Sequence, residues 1–407
     1  MVQVSDPRRL RICVYYPWLY LTSGAERTIV EIAQRSRHQI TIVTNEYQPE
    51  ATFPELRTLD VRVLDRVPVK RTIGAVGAAA WRIVSQRLDL SEFDALLVVC
   101  EGLGDLVALR HPERPAFCLC LTPLRIAFDP VYRQAYLAGR SRWQRLVIRA
   151  GTLAFAAVDR IAWRRYRRVF PISREVQQRI VAGRLATADS MQLLHPGIDL
   201  DRFTPAPPKE KVFFVPGRIM WTKNLQLAIE AFKIFKATAA DPSWRLRIAG
   251  IVDRKSEPYF EQLREQAGGD RHIEFVRRPD DSTLTTMYRD CFASLFTAFN
   301  EDWGLVILEA MACGKPVVAL DRGGPREIVR HEHDGLLVPG EPQAFAAAMR
   351  RLVEEDGLYD RLAANAQEGA RRFGWPAFVN TLDEAISRDW VAAPAAGVRT
   401  EWAEAGK

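Results

Sequence analysis

The chain has 407 residues, of which 48% are hydrophobic and 26% charged, and its formal net charge at pH 7 is +7. This length allows two domains with separate cores, and the composition excludes an intrinsically disordered protein. The positive charge favours an anionic partner, such as a phosphate-bearing ligand, an acidic membrane surface or a nucleic acid.

Cysteine usage and hydropathy indicate the compartment. The six cysteines lie mostly in apolar runs, without CxxC pairs or nearby histidine clusters, so we expect free buried thiols and no metal site. The N-terminal segment does not resemble a signal peptide, and no apolar stretch approaches the roughly 20 residues that span a bilayer. We expect a cytoplasmic protein, with peripheral association at the inner face of the cell membrane as a further option.

The first half of the chain alternates apolar, β-branched runs with segments of helical periodicity. The predicted strands are 10–16, 39–44, 61–64, 95–99, 116–121 and 169–173, and the predicted helices include 25–36 and 76–88. This alternation is typical of a doubly wound α/β domain. Ser23 and Glu26 predict a capping box at the first helix, and Gly24 at the same turn allows substrate oxygens to approach the backbone.

The segment 139–170 is the most basic part of the chain, with nine arginines and one acidic residue among tryptophan, tyrosine and aliphatic residues. A helix here could bury its apolar side in the protein and present its guanidinium groups to water. It could also lie on an anionic membrane surface or contact nucleic acid. No recognisable nucleic-acid module accompanies it, which disfavours the third interpretation.

A proline-rich segment, 205–211, has the composition of a domain boundary. We predict domains over 1–205 and 206–374, a helix over 375–390 that completes the first domain, and a disordered tail over 391–407. Asp199 and Asp201 form a D-x-D pattern, which in this turn-rich linker predicts turn hydrogen bonds and not a metal site.

The second domain repeats the strand-helix alternation. Its predicted strands are 212–215, 245–249, 273–276, 293–296 and 316–320. Arg218 and Lys223 flank its first strand-to-helix turn, where two cations can bind a diphosphate. Either residue alone is more often an ordinary surface residue.

Two carboxylates accompany the helix that follows the fourth of these strands. Glu301 precedes the helix, and Glu309 lies about 9 Å along it at 1.5 Å per residue. A helix N-terminus at the carboxyl edge of a parallel sheet favours an anion such as phosphate. One acid could therefore contact a sugar and the other a ribose, although each acid singly is unremarkable.

The segment 295–329 resembles the donor-site signature of family-4 retaining glycosyltransferases. The matching positions are Glu301, Asp302, Trp303, Gly304, Leu305, Glu309, Ala310, Gly314, Lys315, Pro316, Val317, Val318, Gly323, Gly324 and Glu327. Arg218 and Lys223 match the Gly-Arg…Lys-Asn motif of the same family. The resemblance implies a GT-B fold, in which two Rossmann-like parallel-sheet domains face a cleft and a C-terminal helix crosses back to the first domain.

The resemblance also implies roles for individual residues. Glu301, Arg218 and Lys223 would be catalytic, with the two cations and a helix N-terminus replacing a metal at the leaving diphosphate. Glu309 would contact the ribose. The remaining donor-binding positions implied by the resemblance are Gly24, Val276, Arg277, Trp303, Gly304 and Leu305, with the backbone near Val276 and Arg277 meeting the nucleobase.

A second, narrower resemblance concerns the acceptor. The run Thr122-Pro123-Leu124-Arg125 is similar to a segment of bacterial O-antigen and lipid-linked oligosaccharide mannosyltransferases, and it implies acceptor contacts from Thr122 and Arg125. It favours GDP-mannose as donor. The chain departs from that pattern at Leu121, where histidine is usual, and its Ser23-Gly24-Ala25-Glu26 loop keeps one of the family's two glycines.

The resemblance predicts a retaining, metal-independent transfer of a hexose, with mannose favoured, from a nucleotide-diphosphate sugar to a saccharide or lipid-linked saccharide in cell-surface polysaccharide synthesis. Three alternatives stay open. An epimerase or phosphorylase can have the same fold, a binding protein can hold the nucleotide without turnover, and the basic segment can serve a membrane or nucleic-acid scaffold.

Overall fold

The computed structural model describes residues 9–67 and 73–391, with the backbone alone for 73–75. The chain divides into two compact units. Among the described residues, unit 1 takes those up to Ile172, then Val176–Leu194, and those from Phe378 onward, whereas unit 2 takes Ser173–Glu175 and His195–Ala377. Val391 ends the last helix, and the rest of the predicted disordered tail lies outside the described residues.

Unit 1 is built on a parallel sheet. Its strands are β1 (Arg11–Tyr15), β2 (Trp18–Leu19), β3 (Gln39–Thr44), β4 (Glu46–Tyr47), β5 (Val61–Val63), β6 (Ala95–Glu101), β7 (Ala116–Thr122) and β8 (Tyr166–Pro171). Its helices are α1 (Gly24–Arg35), α2 (Ile73–Ser85), α3 (Arg125–Phe128), α4 (Pro130–Leu137), α5 (Arg142–Trp163) and, from Val176 onward, α6 (Arg174–Ala182). Unit 1 also contains α14, which is defined below, from Phe378 onward.

The six-stranded sheet of unit 1 has the order β5-β3-β1-β6-β7-β8, while β2 and β4 form a separate parallel pair. In chain order this is 3-2-1-4-5-6, the order of a dinucleotide-binding fold. The strand order reverses between β1 and β6, where Cys13 pairs with Leu96. Because ligands of such sheets bind outside the carboxyl ends of the strands at the reversal, the loops after β1 and β6 form the candidate edge of unit 1.

Unit 2 repeats this architecture. Its strands are β9 (Val212–Pro216), β10 (Arg245–Gly250), β11 (Ile273–Arg277), β12 (Ala293–Phe296), β13 (Val317–Leu320) and β14 (Leu336–Val338). Its helices are α7 (Leu225–Thr238), α8 (Glu257–Ala267), α9 (Asp281–Asp290), α10 (Leu305–Ala312), α11 (Pro325–Ile328), α12 (Pro342–Glu354), α13 (Leu358–Arg371) and the start of α14 (Trp375–Val391).

The sheet of unit 2 is parallel, with the order β11-β10-β9-β12-β13-β14. It therefore has the same 3-2-1-4-5-6 order, and its reversal lies between β9 and β12, where Ser294 pairs with Phe214. The prediction of two Rossmann-like parallel-sheet domains is confirmed. The predicted strand bounds agree closely with the observed ones, because strands covered on both faces read as continuous apolar runs.

Two local predictions are wrong. Ser23 does not cap α1 through a backbone N–H; its hydroxyl donates to the carboxylate of Glu26 instead. The strand predicted over 169–173 begins earlier, at Tyr166, where it pairs with Ala116. Its polar start is explained by Arg168, which forms an ion pair with Asp389 of α14 at 2.7 Å.

The core of unit 1 contains two acids that the sequence did not single out. Asp105 and Asp159 are fully buried, and Oδ2 of Asp105 accepts a hydrogen bond from Nε1 of Trp163 at 2.9 Å. Burial raises the pKa of both carboxyl groups, and repulsion from Asp105 raises that of Asp159 further. Burial therefore favours the neutral, protonated form of both carboxyl groups.

All six cysteines are buried and free, as expected. In the described part of the chain, no helix is both long enough and apolar enough to cross a bilayer.

Candidate functional site

The sheet reversal of unit 2 brings together the loops after β9 and β12. After β9, Gly217 has φ +128°, a conformation that favours glycine, and its N–H donates to Ala249 O at 3.0 Å. A Cβ at Gly250 would lie 1.8 Å from Gly217 O, so the end of β10 needs glycine at that position. Two glycines in contact thus set the course of the loop that carries Arg218 and Lys223.

Lys223 and Glu301 meet across this reversal. Lys223 ends a short 3₁₀ turn, Trp221–Lys223, and its Nζ lies 2.5 Å from Oε2 of Glu301. Both side chains are partly exposed, at 20% and 26%. The loop of Lys223 is also tied to β12, because Oγ1 of Thr297 donates to Lys223 O at 2.9 Å. The predicted cation and carboxylate are therefore neighbours.

The backbone of the Glu301 loop packs on the turn before α11. Gly324 N donates to Glu301 O at 3.0 Å. A Cβ would lie 2.5 Å from Glu301 O if added at Gly323, and 2.3 Å from Trp303 O if added at Gly324. The paired glycines of the signature therefore have a packing role, since only a residue without a side chain lets the two backbones come this close.

Helix α10 begins at Leu305 after Gly304, whose φ is +128°. The first-turn N–H groups of a helix have no intrahelical acceptor, so this end favours an anion. Glu309 is the fifth residue of α10, and its Oε2 accepts a hydrogen bond from the hydroxyl of Tyr288 at 2.5 Å. Tyr288 is fully buried, and burial followed by the Glu309 charge raises its pKa far above the ordinary value. The phenol therefore stays protonated and orients Glu309.

Trp303 is a packing residue within unit 2. It is 3% exposed, and its indole stacks on the His195 ring with centroids 4.6 Å apart. His195 in turn contacts Glu327 of α11, with Nε2 at 3.0 Å from Oε2. The other Glu327 oxygen accepts the N–H of Arg174 at 2.7 Å. These contacts hold the α11 turn against the Glu301 loop, so any donor contact from Trp303 would come from its backbone.

The other predicted donor residues are more dispersed. Arg218 is partly buried directly after Gly217, and no described residue forms an ion pair with its guanidinium group. Val276 and Arg277 end the edge strand β11 at the carboxyl side of the sheet, but the Arg277 guanidinium pairs with Glu257 of α8. The structure thus joins Lys223 to Glu301 and leaves the Arg277 side chain occupied elsewhere.

Lys315, another matched position, is fully buried and donates from Nζ to Ala206 O at 2.7 Å, so it anchors the segment before β9 within unit 2. In the preceding linker, Oδ1 of Asp199 accepts the N–H of Asp201 at 3.0 Å. This hydrogen bond is the turn role predicted for the D-x-D pattern.

In unit 1, Gly24 is the first residue of α1, next to a buried acid. Glu26 is 1% exposed, and burial, reinforced by the charge of Glu101, raises its pKa from 4.5 to about 7, even though the hydrogen bond from Ser23 opposes the shift. The hydroxyl of Tyr16 donates to Oε2 of Glu101 at 2.7 Å across the β1/β6 reversal. Both sheet reversals therefore carry a polar contact between their two loops.

The predicted acceptor residues Thr122 and Arg125 are joined through a buried network. Oγ1 of Thr122 accepts a hydrogen bond from Nη1 of Arg179 at 2.9 Å. Arg179 lies 3.5 Å from Asp129, and Arg125 lies 3.2 Å from the same carboxylate oxygen. Arg179 was not recognised in the sequence, because nothing in the periodicity of α6 distinguishes a buried arginine from a surface one.

The structure is similar to the crystal structure of Anabaena HepE in complex with UDP and glucose, with a TM-score of 0.71 and 20% identity over 93% of this chain and 100% of that one. The fold is GT-B. The predicted fold class is therefore confirmed. Residues 198–369, less than half of the chain, match the family model of glycosyl transferases group 1.

Two curated relatives extend the comparison. A D-inositol 3-phosphate glycosyltransferase of Streptomyces bingchenggensis is 32% identical over 211 residues, which cover 47% of this chain and 46% of the relative. The chain thus spans about half the length of the inositol-phosphate relatives it matches. The mouse alpha-1,3/1,6-mannosyltransferase ALG2 is 25% identical over 90% of this chain and 93% of its own length. The chain is therefore similar in sequence to glycosyltransferases, over about half of its length for the bacterial relative and over most of its length for the mouse one.

Proposed function

We propose that the protein is a retaining, metal-independent glycosyltransferase that moves a hexose from a nucleotide-diphosphate sugar to a saccharide or lipid-linked saccharide. The observation that carries the proposal is the Lys223–Glu301 pair at the reversal of the unit 2 sheet, beside the N-terminus of α10. Open parallel sheets bind nucleotides at this position, and a cation next to a carboxylate suits a ligand with a phosphate and a sugar.

In the proposed reaction, the bond between the anomeric carbon and the β-phosphate oxygen breaks, and the electron pair leaves with the nucleotide diphosphate. Lys223, Arg218 and the first-turn N–H groups of α10 stabilise the developing negative charge, because preorganised donors act where charge develops. Glu301 orients the sugar and opposes the positive charge that develops on its ring. An acceptor hydroxyl attacks the same face, and its proton passes to the departing phosphate.

Glu309 is proposed to bind the ribose hydroxyls. One of its oxygens accepts the Tyr288 hydrogen bond, which fixes the orientation of the carboxylate. A carboxylate has about four lone-pair positions, so the hydrogen bond from Tyr288 does not by itself prevent hydrogen bonds from ribose hydroxyl groups.

For the substrates we propose GDP-mannose as donor and a lipid-linked saccharide at the cytoplasmic side of the cell membrane as acceptor. The Thr122–Arg125 resemblance and the full-length similarity to a mannosyltransferase support mannose. Thr122 and Arg125 lie in one buried network of unit 1, which would present a rigid surface to an acceptor.

The deciding experiment incubates the protein with radiolabelled GDP-mannose, UDP-glucose or UDP-N-acetylglucosamine, each with and without lipid-linked saccharide. We expect label in the lipid fraction and release of nucleotide diphosphate with GDP-mannose only. Conversion of the sugar without an acceptor would identify an epimerase, and donor-dependent thermal stabilisation without turnover would identify a binding protein. Either of these results would refute the proposed glycosyl transfer.

A further inference from the structure

The helix α5 has an apolar face that the fold of unit 1 leaves uncovered. At 100° per residue, nine apolar side chains fall within a sector of about 140°. All nine are exposed, with Trp143 at 71% and Leu153 at 73%. This outer α5 face consists of Trp143, Leu146, Val147, Ala150, Leu153, Ala154, Ala157, Val158 and Ile161.

The opposite face of α5 supplies the packing that holds the helix in place. Its buried residues include Ile148, Ala156 and Asp159. Trp163, at the end of this face, hydrogen-bonds Asp105, and Phe155 packs edge-on against Phe128 of α3. A surface helix of a globular protein normally buries its apolar stripe and exposes polar residues. Because the inner face already anchors α5, the outer α5 face must serve a different purpose.

Arginines flank the outer α5 face on one side and beyond its end. Arg142 and Arg149 are exposed and lie beside the apolar sector in the first half of the helix, and Arg164 and Arg165 are exposed at its C-terminus. The acid on this helix, Asp159, is buried on the inner face. The exposed surface of α5 therefore combines a long apolar strip with positive charge and no negative charge.

We propose that the outer α5 face docks unit 1 onto an anionic lipid bilayer. An interfacial helix places apolar side chains among the acyl chains while its basic residues meet the headgroups, and tryptophan prefers this boundary. From Trp143 to Ile161 the strip is about 27 Å long, and the arginine stems can extend toward the phosphates. This inference does not depend on glycosyl transfer, since it needs neither donor nor acceptor.

Two other partners fit the outer α5 face less well. A second copy of this chain, related by a two-fold axis, would place the same exposed arginines opposite each other without an acid to pair them. A nucleic acid would pair with the arginines but would leave the aliphatic strip without a partner, because its affinity comes chiefly from phosphate contacts. A bilayer with acidic headgroups matches both parts of the surface.

The test measures co-sedimentation of the full chain with vesicles of phosphatidylcholine alone or with 30% phosphatidylglycerol, as an assumed anionic composition. We expect binding to the anionic vesicles that weakens with salt. Trp143→Glu/Leu153→Glu should lower the partition coefficient at least about tenfold. The matched control Val63→Glu/Val181→Glu adds the same charge at two other exposed apolar positions of unit 1 and should change the coefficient less than about twofold.

A second pair of variants separates charge from apolar contact. Arg142→Gln/Arg149→Gln should reduce binding to anionic vesicles about tenfold or more. The control Arg271→Gln/Arg361→Gln makes the same change in net charge at two exposed positions of unit 2. It should leave binding to anionic vesicles unchanged. Circular dichroism and melting temperature verify folding, and the arginine pair keeps the test decisive if the glutamate pair unfolds.

Several results would overturn the proposal. The first is equal binding by all four variants, and the second is no binding of the wild type to anionic vesicles. The third is a dimer, seen in sedimentation velocity, that Leu153→Glu dissociates. The fourth is tighter binding to single-stranded RNA than to the vesicles. The third result would assign the outer α5 face to a second copy, and the fourth would assign it to nucleic acid.

Discussion

The ammonium group of Lys223 lies 2.5 Å from a carboxylate oxygen of Glu301, although the two residues are 78 positions apart in the chain. They belong to loops on opposite sides of the point where the strand order of unit 2 reverses. The contact therefore depends on the topology of the sheet, and it brings two opposite charges to the edge where such folds bind nucleotides.

Lys223→Ala and Glu301→Ala should each lower kcat about a hundredfold or more, since both remove charge from the developing transition state. The fold should persist, because a partly exposed ion pair contributes less than about 1 kcal/mol to stability. The measurement is steady-state release of nucleotide diphosphate together with the melting temperature.

Lys209→Ala is the matched control for these variants. Lys209 also forms an ion pair within unit 2, with Asp290 at 3.1 Å, but it lies in the segment before β9. Its kcat should stay within about twofold of the wild type, as usual for a surface residue away from special features. Full activity of both Lys223→Ala and Glu301→Ala would contradict the proposed catalytic role of this ion pair.

Tyr288→Phe should raise the KM for the sugar nucleotide about tenfold while kcat changes less, because a lost hydrogen bond to a charged group is worth about 1.5 kcal/mol. The ring itself is kept, so its edge-on contacts with Phe203 and Phe214 persist. In the control Tyr359→Phe, the lost hydroxyl donates to Phe292 O at 3.0 Å. That variant should lose stability without a change in KM; an equal rise in KM for both would contradict the orienting role.

Glu26 predicts a pH-dependent stability. Its pKa is about 7 in the folded state against 4.5 ordinarily, so between these values the folded state holds a proton that the unfolded state has lost. The contribution of Glu26 to the free energy of unfolding is therefore fully present below pH 4.5. It falls as pH rises toward 7, by about 3 kcal/mol in total. Urea unfolding at pH 5 and pH 8 measures this loss.

Glu26→Gln removes the titrating group and should abolish this part of the pH dependence. The variant should therefore gain stability relative to the wild type between pH 5 and pH 8. Ser23→Ala removes the hydrogen bond that lowers the Glu26 pKa, so it should extend the loss of stability to higher pH. If the free energy of unfolding depends on pH identically in the wild type and in Glu26→Gln, the raised pKa of Glu26 is wrong.

Gly250→Ala should destabilise unit 2 by more than about 3 kcal/mol, because its Cβ would lie 1.8 Å from Gly217 O and backbone must move. Gly269→Ala is the control, with φ +73° but open space around the new Cβ. It should cost about 1 kcal/mol of backbone strain. Equal free energies of unfolding for both variants would show that the contact with Gly217 can relax.

The two sheets followed from the sequence because buried parallel strands leave continuous apolar runs. The predicted bounds 39–44 and 293–296 agree with the observed β3 and β12 to the residue. Lys223 and Glu301 were recognisable because they match the motifs of the resembled family, whereas position after a strand alone left each of them an ordinary residue.

What could not be predicted depends on distant neighbours. The partner of Glu309 is Tyr288 on another helix, and the pKa of Glu26 depends on its complete burial. The pairing of Asp105 with Asp159 joins a loop to a helix more than 50 residues away. The Arg277 side chain likewise pairs with a residue of α8. Local periodicity in the sequence does not predict such contacts.

The last helix makes unit 1 discontinuous in the chain. Buried Leu382 and Ile386 belong to its core, and Asp383 accepts the Ser36 hydroxyl at 2.8 Å and the Arg37 N–H at 2.9 Å. During synthesis, the ribosome therefore finishes unit 2 before it supplies the final element of unit 1. The half of the protein that is translated first is the half that completes its folding last.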